Sequence, residues 1–418
     1  MPYQNQTVKG GVCAPKGFLA SALSAGIKNP DGERLDLALI FSEHPCISSG
    51  TFTTNRVKAA PVRVSQSNLK NNEIRAIIAN SGNANACTGI RGLEDARAMA
   101  DIVAKPLQIR RREVGVCSTG VIGLPLPMER IEPHGPELVK KLKPNGGTKV
   151  AKAIMTSDTR HKEMAVTVDL DGVEVTIGAC VKGAGMICPS MATMLCFVTT
   201  DANITRSCLE KSLLEAVEAS FNRITIDGDM STNDTVLVLA NGAAGGKQIN
   251  RRSPSSRLFA DALEWLLVNL AKDIVRDGER VTKFVTVDVK GARTYLDAKK
   301  VAEAVAKSQL VKASWNGNDP NWGRIIHAVG YSRAPIREEL IDIYYEDYPA
   351  CIGGLVADTS LERLRTIAKK SRFKITIDLN LGKSDYTVYS SDLSPEYVDF
   401  NRSEYAYWNQ ARKEGMVE

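Results

Sequence analysis

Eight short runs rich in β-forming residues recur along the chain, and they limit its possible folds more than any other feature. They are LDLALIF (Leu35 to Phe41), IRAIIAN (Ile74 to Asn80), MAVTVDL (Met164 to Leu170), VEVTIGACV (Val173 to Val181), TVLVLAN (Thr235 to Asn241), KFVTVDV (Lys283 to Val289), LIDIYY (Leu340 to Tyr345) and FKITIDL (Phe373 to Leu379). Many alternate apolar with polar residues, the pattern of half-buried strands in antiparallel or mixed sheets. The link DLDG between the third and fourth runs carries an Asp-Gly pair and predicts a hairpin. Between the runs lie stretches with helical periodicity: LEDARAMADIVAKPL, RSCLEKSLLEAVEASF, SSRLFADALEWLLVNLAKDIV and DAKKVAEAVAKSQLV. In the second of these, Leu209, Leu213, Ala216, Val217 and Phe221 share one face. Strands and helices follow no regular βαβ order and no fixed repeat, so the expected class is α+β, with mixed sheets covered by helices.

Length and composition narrow the function. A chain of 418 residues with 43% apolar and 24% charged residues is a globular protein with a sizeable core. Its formal charge of +6 is small beside 54 basic and 48 acidic residues. The basic clusters IRRRE (Ile109 to Glu113) and INRRSPSSR (Ile249 to Arg257) interleave no aromatics, and they read as solvated surface rather than a nucleic-acid site. Nine cysteines form no CxxC pair, which argues against a disulfide framework and a zinc ribbon. The first residues, MPYQNQTVKGG, lack a signal pattern, and no run approaches 18 apolar residues. A reducing cytoplasm is the expected compartment, with no membrane partner.

Familiar catalytic signatures fail in turn. GAG at Gly183 to Gly185 lacks the third glycine of a dinucleotide fingerprint, GAAGGKQ (Gly242 to Gln248) misses the phosphate-loop spacing, and both read as turns. His44, His134, His161 and His327 are far apart, and there is no G-x-S-x-G elbow. DGDMSTND (Asp227 to Asp234) lacks the full calcium-loop pattern and reads as a structural loop. The segment KGAGMICPSMATMLCFVTT (Lys182 to Thr200) gathers glycines, a proline and small residues around Thr193. A threonine hydroxyl can act without histidine if its own α-amine is free to take the proton, because that amine titrates near ~8. Thr193 gains such an amine only if the chain is cut after Ala192. A plain loop before a strand is the other reading of the same residues.

The segment KGAGMICPSMATMLCFVTTDA resembles the self-cleavage region of the ornithine acetyltransferase (glutamate N-acetyltransferase) family of arginine biosynthesis. The blocks VKGGVCAPKGF, FTTNRVKAAPV, ANSGNANACTG, GVCSTGVIGLPLP, IMTSDTRHK, FNRITIDGDMSTNDTVLVLANG, DGERVTKFVTVDVKGA and NDPNWGRIIHAVGYS resemble that family in the same order. The resemblance implies a layered α/β/β/α arrangement and scission between Ala192 and Thr193. An α chain of residues 1–192 and a β chain of residues 193–418 would pair into an α2β2 heterotetramer. It makes Thr193 the nucleophile, and Thr119 with Gly120 the oxyanion hole. Substrate would be held by Thr156, Lys182, Glu279 and Asn401 together with Thr193. N-acetylornithine and glutamate would enter, and ornithine and N-acetylglutamate would leave. Neither cofactor nor metal is implied; acetyl-coenzyme A serves bifunctional members as a second donor, and the residues do not decide its use here.

Two departures bear on the substrate. Arg280 stands where the family's DGEGATK block has glycine, and Ala406 stands where it has a hydroxyl, with Tyr405 one place late. The residues therefore leave open a relative acting on another amino acid. They also leave open an N-terminal-nucleophile amidohydrolase or peptidase, in which water replaces glutamate, and an unprocessed, non-catalytic relative.

Overall fold

The computed structural model describes residues 6–28, 32–71, 73–188 and 194–402. Three sheets organise them. The first holds six strands in the order Gln6–Val8, Lys162–Leu170, Val173–Lys182, Leu195–Ile204, Thr235–Ile249 and Ile47–Phe52. Only the pair Leu195–Ile204 and Thr235–Ile249 runs parallel; its other neighbours are antiparallel. The second sheet holds Phe18–Leu23, Leu37–Ser42, Ala76–Asn83 and Val114–Val121. Its last two strands are parallel, joined through the helix Gly89–Leu107. The third, in the order Leu355–Val356, Tyr348–Ile352, Asp342–Tyr345, Arg372–Asp378, Phe284–Ala292 and Ser384–Ser391, lies entirely in the last third of the chain.

Two central strands of the first sheet explain the layering. Leu195 and Phe197 face one core, while Cys196 and Val198 face another. Leu237 and Leu239 alternate with Val236 and Val238 in the same way. A strand covered on both faces has no polar side, which is why LCFV and VLVL read as unbroken apolar runs. The inner core packs Phe197, Leu195, Leu237 and Leu239 against Ala20, Ile40, Ile77 and Cys117 of the second sheet. Outside the first sheet lie the helices Arg206–Ala219 and Ser255–Arg276, through Leu209, Leu213, Phe259, Leu263 and Leu266. Outside the second lie Ala60–Asn71 and Gly89–Leu107, through Val64, Ala96, Met99 and Val103. The result is the expected α/β/β/α stack. The third sheet adds a separate core, in which Val285, Val287 and Val289 pack against Ala298, Val301 and Val305 of the helix Tyr295–Lys307.

Local signals mostly act as their chemistry predicts. The Asp171-Gly172 turn closes the hairpin with Leu170 opposite Val173. The stretch DAKKVAEAVAKSQLV breaks in two, because Ser308 caps a second helix, Gln309–Asn316, by accepting from the Val311 amide. GAAGGKQ is not a free turn: it continues the strand Thr235–Ile249, with register shifts between Ala240 and Ile249. Thr119 and Gly120 lie in the strand Val114–Val121.

Phe197, fully buried between the two sheets, is the largest apolar side chain in that core beside Phe18. Phe197→Ala is expected to destabilise the fold by about 3–5 kcal/mol, through lost transfer energy and an unfilled cavity. Chemical denaturation of the variant against the parent protein measures it.

Candidate active site

The expected site residues that are described meet near the C-terminal ends of an inner strand of the first sheet and a strand of the second. Lys182 ends the strand Val173–Lys182, and Thr119 stands near the end of Val114–Val121. Both are buried. The Lys182 ammonium donates to the Thr156 hydroxyl at 2.7 Å and to the Thr119 hydroxyl at 3.3 Å. Beside Thr156, the Ser157 hydroxyl donates to Glu279 Oε1 at 2.6 Å. The other oxygen of that carboxylate, Oε2, accepts from Asn401 Nδ2 at 3.1 Å. Thr119, Lys182, Thr156, Glu279 and Asn401 thus fall along one line of contacts, although they are drawn from five separate stretches of chain. Ala192 and Thr193, like Tyr405 and Ala406, lie outside the described residues.

Two glycines are required by close approach. Gly120 has φ 137°, and a Cβ there would come within 2.2 Å of the Gly82 carbonyl carbon. Only glycine lets the ends of these paired strands approach so closely here. Gly185 explains the GAG triplet: a Cβ on it would lie 2.5 Å from Glu279 Oε1. The same loop accepts the Glu279 amide on the Ala184 carbonyl at 2.9 Å.

Behind the site lies an ion network that the sequence did not reveal. Asp158 Oδ1 accepts from the Lys162 ammonium at 2.7 Å and from the Gly183 amide at 2.9 Å, while Oδ2 accepts from the Thr156 amide at 3.0 Å. Lys162 also donates to Asp277, and the Thr159 hydroxyl donates to the same carboxylate. Asp158, Lys162 and Asp277 are all buried. Burial alone would push the Asp158 carboxyl up, but the charges of Lys182 and Lys162 and the hydrogen bonds from Lys162 and Gly183 outweigh it, holding the group at about 2. Lys182 is pushed down from the usual lysine range by burial, with Asp158 pulling the other way. In the sequence, Asp158 and Lys162 are spaced like an ordinary surface pair, so nothing marks them as buried.

The loop DGDMSTND is structural, and it also frames the site. Asp227 accepts the amides of Met186 at 2.6 Å, Ile187 at 2.8 Å and Asp229 at 3.1 Å. Asn233 Nδ2 donates to the carbonyls of Ala84 at 2.7 Å and Ser118 at 2.8 Å, pinning the residue before Thr119. Asp234 Oδ1 accepts from the Met194 amide at 3.0 Å, and its Oδ2 has no hydrogen-bond partner among the described residues. Burial raises the Asp234 carboxyl well above its usual range, against the bond from the Met194 amide and the charge of Lys182. The histidines have other neighbours: His134 Nδ1 lies 2.7 Å from the Arg130 carbonyl, and His161 faces Glu163 at 3.9 Å. The arrangement offers one buried and two half-buried hydroxyls, one cation and one carboxylate, a set able to pair with a small molecule that carries both an anionic and a cationic group.

Residues 19–406 match the family model described as the ArgJ family. The chain is 50% identical over 387 residues to the arginine biosynthesis bifunctional protein ArgJ of Geobacter sulfurreducens, covering 92% of this chain and 98% of that protein. To the protein of the same name from Symbiobacterium thermophilum it is 47% identical over 394 residues, covering 94% and 98%. To the glutamate N-acetyltransferase of Methanocaldococcus jannaschii it is 44% identical over 408 residues, covering 95% and 98%. With so much of its length matched, the chain belongs to the ArgJ family.

Proposed function

We propose that this chain, a glutamate N-acetyltransferase of arginine biosynthesis, moves the acetyl group of N-acetylornithine to glutamate by a ping-pong route through an acetyl-threonine at Thr193. The observation that carries the reading is the line of contacts from Thr119 through Lys182 and Thr156, and on through Ser157 to Glu279 and Asn401. Cleavage after Ala192 frees the Thr193 α-amine. That amine takes the hydroxyl proton as Oγ attacks the acetyl carbonyl, then gives it to the departing α-nitrogen of ornithine. Thr119 and Gly120 face the negative charge of the tetrahedral intermediate, where one lost donor typically costs about 3–4 kcal/mol. Lys182 holds the substrate carboxylate and Glu279 the side-chain ammonium of ornithine, with Thr156 and Asn401 fixing the two charged groups. Glutamate then attacks the acetyl-threonine through its own amine and leaves as N-acetylglutamate.

The topology supports a cut chain that stays together. Leu195–Ile204 and Thr235–Ile249, from the proposed β chain, lie between Val173–Lys182 and Ile47–Phe52 of the proposed α chain. Backbone ladders on both sides hold them there after scission. By resemblance, two such α/β pairs form the working α2β2 unit. A reducing cytoplasm suits nine free cysteines, eight of them buried, and no helix among the described residues is long and apolar enough to cross a membrane.

Intact mass under denaturing conditions tests the first step: two fragments are expected, the second beginning at Thr193. Thr193→Ala is expected to give one uncut, inactive chain, and normal processing and turnover in that variant would end the assignment. The cut protein, given N-acetylornithine and glutamate in water, is expected to make N-acetylglutamate far faster than free acetate; the reverse ratio identifies a hydrolase. Acetyl-coenzyme A, the second donor that the resemblance admits, is tried in place of N-acetylornithine. Thr119→Ala is expected to lower kcat by about 10²–10³ with little change in KM, and an unchanged kcat removes Thr119 from the oxyanion hole.

Asp158 is the counter-ion that keeps a cation stable in this dry setting. Its folded value of about 2 lies below the ~3.9 of an unfolded aspartate. The stability it contributes is therefore complete above about pH 4 and is lost as pH falls towards 2. Asp158→Asn is expected to lower the unfolding free energy at pH 7 by about 3–5 kcal/mol, because Lys162 and Lys182 lose a buried partner. Urea unfolding at pH 7 and pH 3 checks this, with the two proteins closer together at pH 3.

A further inference from the structure

The helix Pro395–Asn401 carries Asn401 to Glu279, yet it has no buried residue of its own. Seven residues are too few for a helix to persist without packing partners. Five contacts to or within it stand out among the described residues. Ser394 caps it by accepting from the Tyr397 amide at 3.2 Å, and the same hydroxyl donates to the Arg280 carbonyl at 2.8 Å. The Tyr397 hydroxyl donates to Asp227 at 3.3 Å. The Arg280 guanidinium lies over the Phe400 ring, 5.0 Å from its centroid, and Asn401 reaches Glu279. Arg280 supplies two of the five, one through its backbone and one through its side chain.

It does so from a strained backbone. Arg280 sits at φ 55°, in the left-handed region that long side chains seldom enter. Such a conformation persists only where surrounding contacts over-determine it, and it clusters at functional sites. Here the strained residue directly follows Glu279, and its side chain reaches the residue directly before Asn401. The two ends of the Glu279–Asn401 hydrogen bond are therefore bridged a second time, by Arg280 and Phe400.

We propose that Arg280 is a positioning residue of the amino-acid site: by stacking on Phe400 it holds the helix Pro395–Asn401 in place and keeps Asn401 on Glu279, which sets how tightly the ammonium end of the substrate is bound. This rests on the reading of Glu279 as the group that holds that ammonium.

Two variants test it from opposite sides. Arg280→Gly removes the guanidinium and suits φ 55°, so its melting temperature is expected to equal or exceed that of the parent protein. Phe400→Leu removes the ring and leaves the strained loop untouched. Each is expected to raise the calorimetric Kd for ornithine and the KM for N-acetylornithine by about two- to fivefold, the scale of one exposed cation–π contact, with kcat within about twofold. The double variant is expected to be no worse than either single, because both remove the same contact. Unchanged Kd in both single variants, or effects that add in the double, overturns the role of Arg280. A parent protein that binds no ornithine at all overturns the functional reading, and this inference with it.

Discussion

The candidate site depends on keeping a lysine charged where water hardly reaches it. Lys182 is 3% exposed, and an isolated ammonium at that depth would give up its proton. Asp158 opposes this, and Asp158 is itself charged in the interior because Lys182 and Lys162 face it and because Lys162 and two backbone amides share its oxygens. Lys162 in turn is divided between Asp158 and Asp277. Asp277 stands two residues before Glu279, so the network that stabilises the cation also anchors the loop that presents the carboxylate. The pair of opposite charges proposed to grip an amino acid is thus built on one set of buried ion pairs. Such a set contributes little net stability compared with apolar packing, and it is strongly destabilising once one member is lost. Its value is geometric: it fixes where two charges of opposite sign stand.

The sheets supply the second constraint. Thr119 and Gly120 belong to the second sheet, and Lys182 to the first. Their relation is fixed by the inner core in which Phe197 and Leu237 pack against Ile40 and Ile77. Because the strands either side of residue 193 sit next to each other in one ladder, a break between them would remove one covalent link and leave the hydrogen bonds and both cores in place. In a fold where the two halves held separate sheets, the same break would free them to part. The proposed self-cleavage is compatible with this fold because the first sheet interleaves its strands across the cut.

Much of this was legible in the sequence, and the remainder was hidden for definite reasons. Strands such as Phe284–Ala292 show one buried face, so alternation reveals them. The helix Arg206–Ala219 shows a single apolar stripe. GAAGGKQ misled because glycines suggest a turn, while here they sit in a strand whose register shifts. The site residues outside the undescribed segment could be named from resemblance, but their convergence could not, because it depends on long-range pairing between stretches up to 282 residues apart, from Thr119 to Asn401. Asp158, Lys162 and Asp277 were missed because charged residues are exposed by default and sequence carries no mark of the exception. Arg280 was visible as a departure, but its left-handed backbone and its contact with Phe400 were not.

The site also combines two degrees of firmness, and the proposed reaction gives that contrast a purpose. Thr119, Gly120 and Lys182 are held by strand ladders and a dry core, where local opening is rare. Asn401 sits on a short helix with no buried residue, tied down by a few polar contacts and one stacked guanidinium. Groups that face developing charge must be preorganised, because any reorganisation during the step adds to the barrier. Groups that bind the substrate's far end face a different demand: in a ping-pong cycle an ornithine derivative must leave before glutamate can enter. A uniformly rigid pocket would suit one of these amino acids and hinder the other. In the proposed cycle, fixing the acyl-transfer side in the sheets and leaving the recognition side to a lightly tethered helix would let one pocket serve both halves.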